Sequence, residues 1–87
     1  MHLIPSDDFL LVELVEEKSE FALPEGAARE EFRIGKVLEV GEQAEKHYKD
    51  LTGKIILFER YGPLSVNQFN EKWFLVRTQY ILGILED

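Results

Sequence analysis

The apolar residues of this sequence come in short runs, none longer than eight residues, separated by glycine, proline or asparagine. Runs of this length that are rich in Val, Ile, Leu and aromatic residues are typical of β-strands rather than helices. The sequence therefore predicts an all-β fold. The predicted strands span residues 9–15, 34–40, 54–58, 64–69, 72–77 and 80–85.

The connections between the later runs are very short. From Gly53 onward the runs follow one another almost directly, which predicts a meander of antiparallel strands closed into a small β-barrel. Residues 69–73 have the composition of the tightest hairpin, and Asn70 is able to take a positive φ in its turn.

Two segments interrupt the strand pattern and are predicted as loop excursions from the barrel, at about 16–31 and 42–52. The first is heavily charged but holds one apolar island, Phe21-Ala22-Leu23. The second places two Glu and Lys pairs at i,i+4 spacing, which favours a helical turn.

The chain has 87 residues and no cysteine. A chain of this length builds one small core, so we expect a single domain over residues 1–87. The lack of cysteine excludes disulfides, thiolate zinc sites and cysteine nucleophiles. Small folds without such cross-links often gain stability by forming oligomers.

The charge balance argues against two classes of partner. The formal net charge is −7 and no basic cluster is present, whereas nucleic acids and anionic membranes both require Lys and Arg. The longest apolar stretch, residues 80–85, is far shorter than the roughly 20 residues of a membrane span. Because no signal-peptide pattern is present either, we expect a soluble cytoplasmic protein.

The side-chain combinations that most enzymes need do not occur. His2 and His47 are 45 positions apart, and no serine lies in a Gly-x-Ser-x-Gly pattern. The six glycines are scattered singly, so no phosphate-binding loop is formed. Adjacent acidic pairs at 7–8 and 30–31 lie in strongly polar surroundings that do not favour the shifted pKa values of catalytic acids. We therefore predict no catalytic activity, no metal and no cofactor.

Four stretches of the sequence resemble the GroES family of co-chaperonins, the ring-shaped lids of chaperonin cages. They occur in the family's order and with similar spacing. In the third and fourth, residues 53–86 align with a family sequence without a gap. The stretches are 4–12 (I-P-S-D-D-F-L-L-V), 35–41 (G-K-V-L-E-V-G), 53–58 (G-K-I-I-L-F) and 73–86.

The resemblance implies a small GroES-like β-barrel and a homo-oligomer, namely a heptameric ring. In the family the N-terminal strand of one subunit lies against the C-terminal strand of the next. Transferred to this sequence, Leu3, Ile4 and Pro5 would contact Ile84 and Leu85 of the neighbouring subunit. Such pairing around a closed ring removes exposed sheet edges. The alternative is that both chain ends pack on their own barrel.

The resemblance also assigns a role to the apolar island. Phe21, Ala22 and Leu23, followed by Pro24, stand where the family has the apolar tripeptide of its mobile, chaperonin-binding loop. The alternative is that these side chains fold back onto the barrel. Tyr61 stands at about the position of a family tyrosine that lines the cavity, although a buried core tyrosine remains the competing interpretation.

The sequence departs from the family pattern in two loops. Ser19-Glu20 replaces the Gly-Gly that usually precedes the tripeptide, and the loop is about four residues shorter than is typical for the family. The segment 42–52 is also short, and its helix-like pattern does not suit the hairpin that roofs the dome in bacterial members. We therefore expect a ring with an open or differently covered top.

Together these features predict a non-enzymatic co-chaperonin. It would form a lid that binds the nucleotide-loaded ring of a GroEL-type chaperonin and encloses unfolded client proteins for ATP-dependent folding. An alternative is an oligomeric β-barrel interaction or assembly module that no longer binds a chaperonin. A third possibility, a domain related to zinc-dependent dehydrogenases with the same barrel, lacks the cysteine ligands of those enzymes.

Overall fold

A computed structural model describes residues 2–15 and 32–86 of the chain. The described residues are mostly β, as predicted. They form β1 (Phe9–Leu14), β2 (Phe32–Val40), α1 (Glu42–His47), β3 (Ile55–Glu59), β4 (Leu64–Ser65), β5 (Trp73–Arg77), a 3-10 turn (Thr78–Tyr80) and β6 (Ile81–Leu85).

The six strands form one antiparallel sheet in the order β4-β5-β1-β2-β3-β6. The predicted meander after Gly53 is therefore wrong: β3 pairs with β6, and among the described strands β4 pairs with β5 alone. The reason lies in β1, which pairs with every residue of β5, from Phe9 opposite Arg77 to Glu13 opposite Trp73. Because β1 and β4 occupy the two edges of β5, β6 pairs instead with the free edge of β3.

The sheet is strongly curled. The rings of Phe58 on β3 and Phe74 on β5 lie 6.4 Å apart between centroids, although two strands separate β3 from β5 in the sheet. In a flat sheet those two strands would be about 14 Å apart. The curled inner face encloses the core, as expected for a barrel-like fold of this kind. The fully buried core consists of Leu10, Val12, Val37, Ala44, Leu51, Ile56, Phe58 and Val76.

The helical turn predicted within residues 42–52 is confirmed as α1. Its one buried residue, Ala44, belongs to the core. The backbone N–H groups of Gln43 and Ala44 both donate to the carbonyl of Asp7, which ties the start of α1 to the turn before β1. These bonds satisfy donors that would otherwise be unpaired at the helix N-terminus.

The hairpin between β4 and β5 differs from the prediction in two respects. The strand predicted over 64–69 is only two residues long, Leu64–Ser65. Asn70 has no positive φ; among the described residues other than glycine, only Asp7 and Asp50 do. The side-chain Oδ1 of Asn70 instead accepts a hydrogen bond of 2.9 Å from the N–H of Lys72. This local bond closes the turn without a left-handed residue.

Candidate functional site

The predicted chaperonin-binding tripeptide, Phe21, Ala22 and Leu23, lies outside the described residues. The structure does describe the strand ends on either side of segment 16–31, which contains the tripeptide. The N–H of Val15, just after β1, donates to the carbonyl of Ile34 on β2 at 3.0 Å. Since β1 and β2 are adjacent antiparallel strands, segment 16–31 leaves and re-enters the sheet at the same end of the barrel.

The predicted subunit-contact residues at the C-terminal end lie on an edge strand. β6 pairs with β3 on one side, and its other edge has no strand partner among residues 2–15 and 32–86. The side chains of Ile84 and Leu85 are each 36% exposed, and Leu82 is 56% exposed. An apolar edge of this kind is well suited to pair with another chain.

The predicted contact residues at the N-terminal end have different environments. Ile4 is 69% exposed, Leu3 is partly buried and Pro5 is buried. Pro5 therefore packs on its own subunit, whereas Ile4 leaves a large apolar side chain in solvent. Nearby, His2 Nε2 lies 3.5 Å from the Glu39 carboxylate on β2, which places the start of the chain beside that strand.

An ion pair joins the end of β6 to the start of β3. Lys54 Nζ donates to Glu86 Oε1 at 2.6 Å. This hydrogen bond holds the pKa of the Glu86 carboxyl below its usual value and raises the pKa of Lys54 above its own. Both groups are exposed, so the pair acts as a surface latch rather than a buried bridge.

Tyr61, predicted to line a cavity, is 76% exposed. The competing interpretation of a buried core tyrosine is therefore wrong. Tyr61 lies in the connection between β3 and β4, where Gly62 packs tightly against the ring of Tyr80 and leaves no room for a Cβ. A shallow open pocket beside it is lined by Phe32, Glu59, Tyr61 and Leu82.

Two arginines near this pocket were not identified from the sequence. Arg33 lies on β2, and its guanidinium carbon is 5.0 Å from the centroid of the Phe74 ring. Its Nε atom is buried and has no hydrogen-bond partner. Burial and, to a smaller extent, the nearby charge of Arg60 lower the pKa of Arg33, while Tyr61 raises it. The sequence did contain one signal for the position of Arg33. Residues 32–35 continue the alternation of the strand pattern, so β2 begins two residues before its predicted start.

A polar cluster lies near the start of β1 and the end of β5. Asp8 Oδ1 accepts a hydrogen bond of 2.7 Å from Arg77 Nη1, and Asp8, His47 and Thr78 help to line a shallow polar pocket.

Within residues 2–15 and 32–86, no group of three His, Cys, Asp or Glu side chains could hold a metal ion. No helix in the described part of the chain is long and apolar enough to cross a membrane.

Comparison with known families supports the sequence resemblance. The family described as the chaperonin 10 Kd subunit matches residues 2–85, which is nearly the full length of the chain. No curated protein sequence matches the chain significantly. Members of the matched family are non-enzymatic co-chaperonins that work with a chaperonin partner. The chain therefore belongs to the chaperonin 10 Kd subunit family, the GroES co-chaperonins.

Proposed function

We propose that this co-chaperonin acts in the cytoplasm as a heptameric ring that caps a GroEL-type chaperonin in its nucleotide-loaded state. The capped cavity encloses an unfolded client protein while it folds. The observation that best supports a ring is the outer edge of β6, which has no strand partner in the described part of the chain and exposes Leu82, Ile84 and Leu85. A strand from a neighbouring copy would satisfy the backbone groups of that edge and cover its apolar side chains.

The neighbouring strand in this proposal is the N-terminal segment, Leu3, Ile4 and Pro5. Ile4 is the most exposed of the three, so it has the most apolar surface to bury against Ile84 and Leu85. Pro5 is already buried on its own subunit and would fix the direction in which residues 2–4 extend. A head-to-tail contact of this kind closes into a ring when the rotation between subunits permits it.

The proposed contact with the chaperonin is made by Phe21, Ala22 and Leu23. Burying Phe21 and Leu23 in a partner's groove is worth about 1.5–3 kcal/mol for each side chain. Ordering a flexible segment on binding costs roughly 2–5 kcal/mol of this interaction free energy, so one copy alone would bind weakly. Seven copies on one ring turn the later contacts into intramolecular steps and raise the affinity by orders of magnitude. The weak single contacts allow the lid to leave when the chaperonin changes its nucleotide state.

Tyr61 is the proposed cavity-lining residue. Its ring is mostly in solvent and lies beside the exposed Leu82. A phenol in this position offers clients an apolar ring and one hydrogen-bonding group.

The double variant Phe21→Ser with Leu23→Ser tests the loop assignment. We expect it to abolish capture by an ATP-loaded GroEL-type chaperonin, measured by co-sedimentation and by the change in chaperonin ATPase rate. The matched control is Leu64→Ser with Phe69→Ser, which removes the same two side-chain types from exposed positions on the body of the protein. Capture should persist in that control.

Two results would contradict the proposal. Unchanged capture of the loop variant would show that other residues bind the chaperonin. Failure of the wild-type protein to bind any chaperonin tested would favour the alternative of an assembly module that has lost this partner.

Native mass spectrometry tests the ring separately, and we expect a sevenfold species. A monomer at micromolar concentration would remove the multivalency on which tight capture depends.

A further inference from the structure

Two arginines lie at the end of the sheet where β2 begins and β3 ends. Arg33, the second residue of β2, is opposite Phe58 of β3 in the register of the two strands. Arg60 directly follows β3, two residues after Phe58, so its backbone lies close to the diagonal cross-strand position from Arg33. Burial is the main cause of the lowered pKa of Arg33, and the charge of Arg60 lowers it further.

The inner position of Arg33 is supported by its contacts. Its guanidinium stacks over the ring of Phe74, which itself packs against the core residue Phe58. Stacking of this kind holds a guanidinium plane in a fixed orientation. Arg33 is therefore a positioned cation at the rim of the core rather than a freely moving surface side chain.

Neither arginine has an ion-pair partner within residues 2–15 and 32–86, where the ion pairs of Lys and Arg are Lys54–Glu86 and Arg77–Asp8. The Nε of Arg33 is a buried donor with no hydrogen-bond partner. An unsatisfied donor on a charged group lowers the stability of the fold unless an acceptor arrives from elsewhere. Among the described residues of a chain with a formal charge of −7, Arg33 and Arg60 therefore form a local concentration of positive charge.

We propose that Arg33 and Arg60 form a binding site for carboxylate groups on the rim of the chaperonin. The planar guanidinium groups match a carboxylate in geometry and charge. The chaperonin is the partner that this position favours. Segment 16–31 carries the proposed chaperonin contact, and it joins β2 at Phe32, one residue before Arg33. The site rests on the proposed function: the apolar tripeptide supplies the main contact, and the two arginines add an electrostatic contact at the base of the same segment.

The first experiment compares the wild-type protein with Arg60→Gln in capture by an ATP-loaded GroEL-type chaperonin at several salt concentrations. The matched control is Lys46→Gln, which removes the same charge from an exposed position on α1, after the far end of β2. We expect Arg60→Gln to weaken capture about fivefold or more at ~50 mM salt, since each pair is modest but repeated around the lid. The difference should fall within about twofold at ~500 mM salt, because screening removes contacts between exposed charges. Lys46→Gln should behave as wild type throughout.

The outcomes separate this proposal from the proposed function. Loss of capture by Phe21→Ser with Leu23→Ser at every salt concentration, alongside a salt-dependent loss for Arg60→Gln, supports both. Equal capture by Arg60→Gln and wild type overturns the arginine site and leaves the apolar contact standing. A fall in thermal stability of Arg60→Gln that accounts for its weaker capture also overturns the site, because Arg60 would then serve the fold. If wild type itself is not captured, the proposed function fails and the chosen partner of this site fails with it.

The second experiment observes the site in the protein without a chaperonin. The Nε–Hε signal of Arg33 in ¹⁵N-edited NMR reports directly on the hydrogen bonding of that buried donor. Titration with a short oligoglutamate peptide should move the signal saturably in wild type and in Lys46→Gln, and much less in Arg60→Gln. A signal that does not move in wild type overturns the proposed carboxylate site.

Discussion

Gly41, between β2 and α1, occupies a position with no room for a side chain. Its N–H donates to the carbonyl of Phe9 at 2.8 Å, and an added Cβ would lie 2.5 Å from the Asp7 carbonyl oxygen and 2.7 Å from that of Phe9. Its own backbone has an ordinary extended conformation, with φ −71 and ψ 159. Glycine is required here by the close approach of two backbones, not by a left-handed φ.

Replacing Gly41 by alanine should therefore destabilise the protein. The obstructing atoms are backbone oxygens that cannot rotate away, so we expect a loss of about 1–3 kcal/mol in the free energy of unfolding, as for other overpacked sites. The measurement is urea denaturation followed by circular dichroism. The matched control is Gly83→Ala on β6, where no atom lies within 4 Å of the added Cβ. Equal stability of the two variants would show that the link around Gly41 adjusts easily.

The turn between β4 and β5 makes a prediction at the scale of an element. Asn70 closes that turn through its side chain and has no positive φ, so glycine should not improve it. We expect Asn70→Gly to lower the free energy of unfolding by about 1 kcal/mol, through the lost hydrogen bond and the greater freedom of the unfolded chain. Asn70→Asp keeps the acceptor oxygen and should lie closer to wild type. If Asn70→Gly instead raised the free energy of unfolding in the same urea experiment, the Asn70 side chain would not be what closes the turn.

The positions of the strands are encoded locally in this sequence, whereas their pairing is not. Strand positions follow from apolar alternation, and β1, β3, β5 and β6 were predicted to within one or two residues. Strand pairing depends on which edges are already occupied, and local patterns could not reveal that β1 fills the edge of β5. The shortness of β4 escaped prediction for a similar reason. Val66 and Phe69 look strand-like in sequence, but the N–H of Phe69 donates to the carbonyl of Val66 inside the hairpin turn.

The candidate site was predictable to a different degree at each residue. The family resemblance covers the segments of Ile84 and Tyr61, and both side chains are exposed, but their roles in an interface and a cavity stay predictions. Arg33 could not be identified, because nothing in a sequence distinguishes an arginine stacked inside a sheet from one in solvent. Only the register of β2 with β3 brings Arg33 towards Arg60.

The Lys54–Glu86 latch makes the end of β6 sensitive to pH. The folded-state pKa of Glu86 is lowered, so its stabilising effect is present above the ordinary carboxyl pKa and is lost as the pH falls through the folded value. The pKa of Lys54 is raised, so its effect is present below the ordinary lysine pKa and is lost as the pH rises through the folded value. Amide hydrogen exchange near Leu85, corrected for intrinsic rates, should therefore show greater protection between these limits than in acid. Glu86→Gln should remove the acid-side change; a β6 that is equally protected at both pH values would contradict the latch.

At the scale of the whole molecule, the charge of the chain opposes the assembly proposed for it. One copy has a formal charge of −7, so seven copies in a ring would carry about −49. Such repulsion keeps the ring soluble but weakens each contact between neighbours. The apolar contact at the edge of β6 changes little with simple salt, whereas the repulsion between exposed carboxylates is screened.

The ring should therefore form more readily as the salt concentration rises. We expect the protein concentration at half assembly, measured by sedimentation velocity, to fall severalfold between ~50 and ~500 mM NaCl, because the Debye length shortens from above 10 Å to below 5 Å. Ile84→Asp should prevent assembly at every salt concentration, because it adds charge to the apolar edge itself, while Leu64→Asp on β4 serves as its control. Capture through Arg33 and Arg60 has the opposite salt dependence, since it relies on attraction. The two effects can thus be separated in one salt titration, because assembly strengthens with salt while the contribution of Arg60 to capture declines. A ring that instead dissociates as salt is added would show that attraction between charges, not the apolar edge of β6, holds the subunits together.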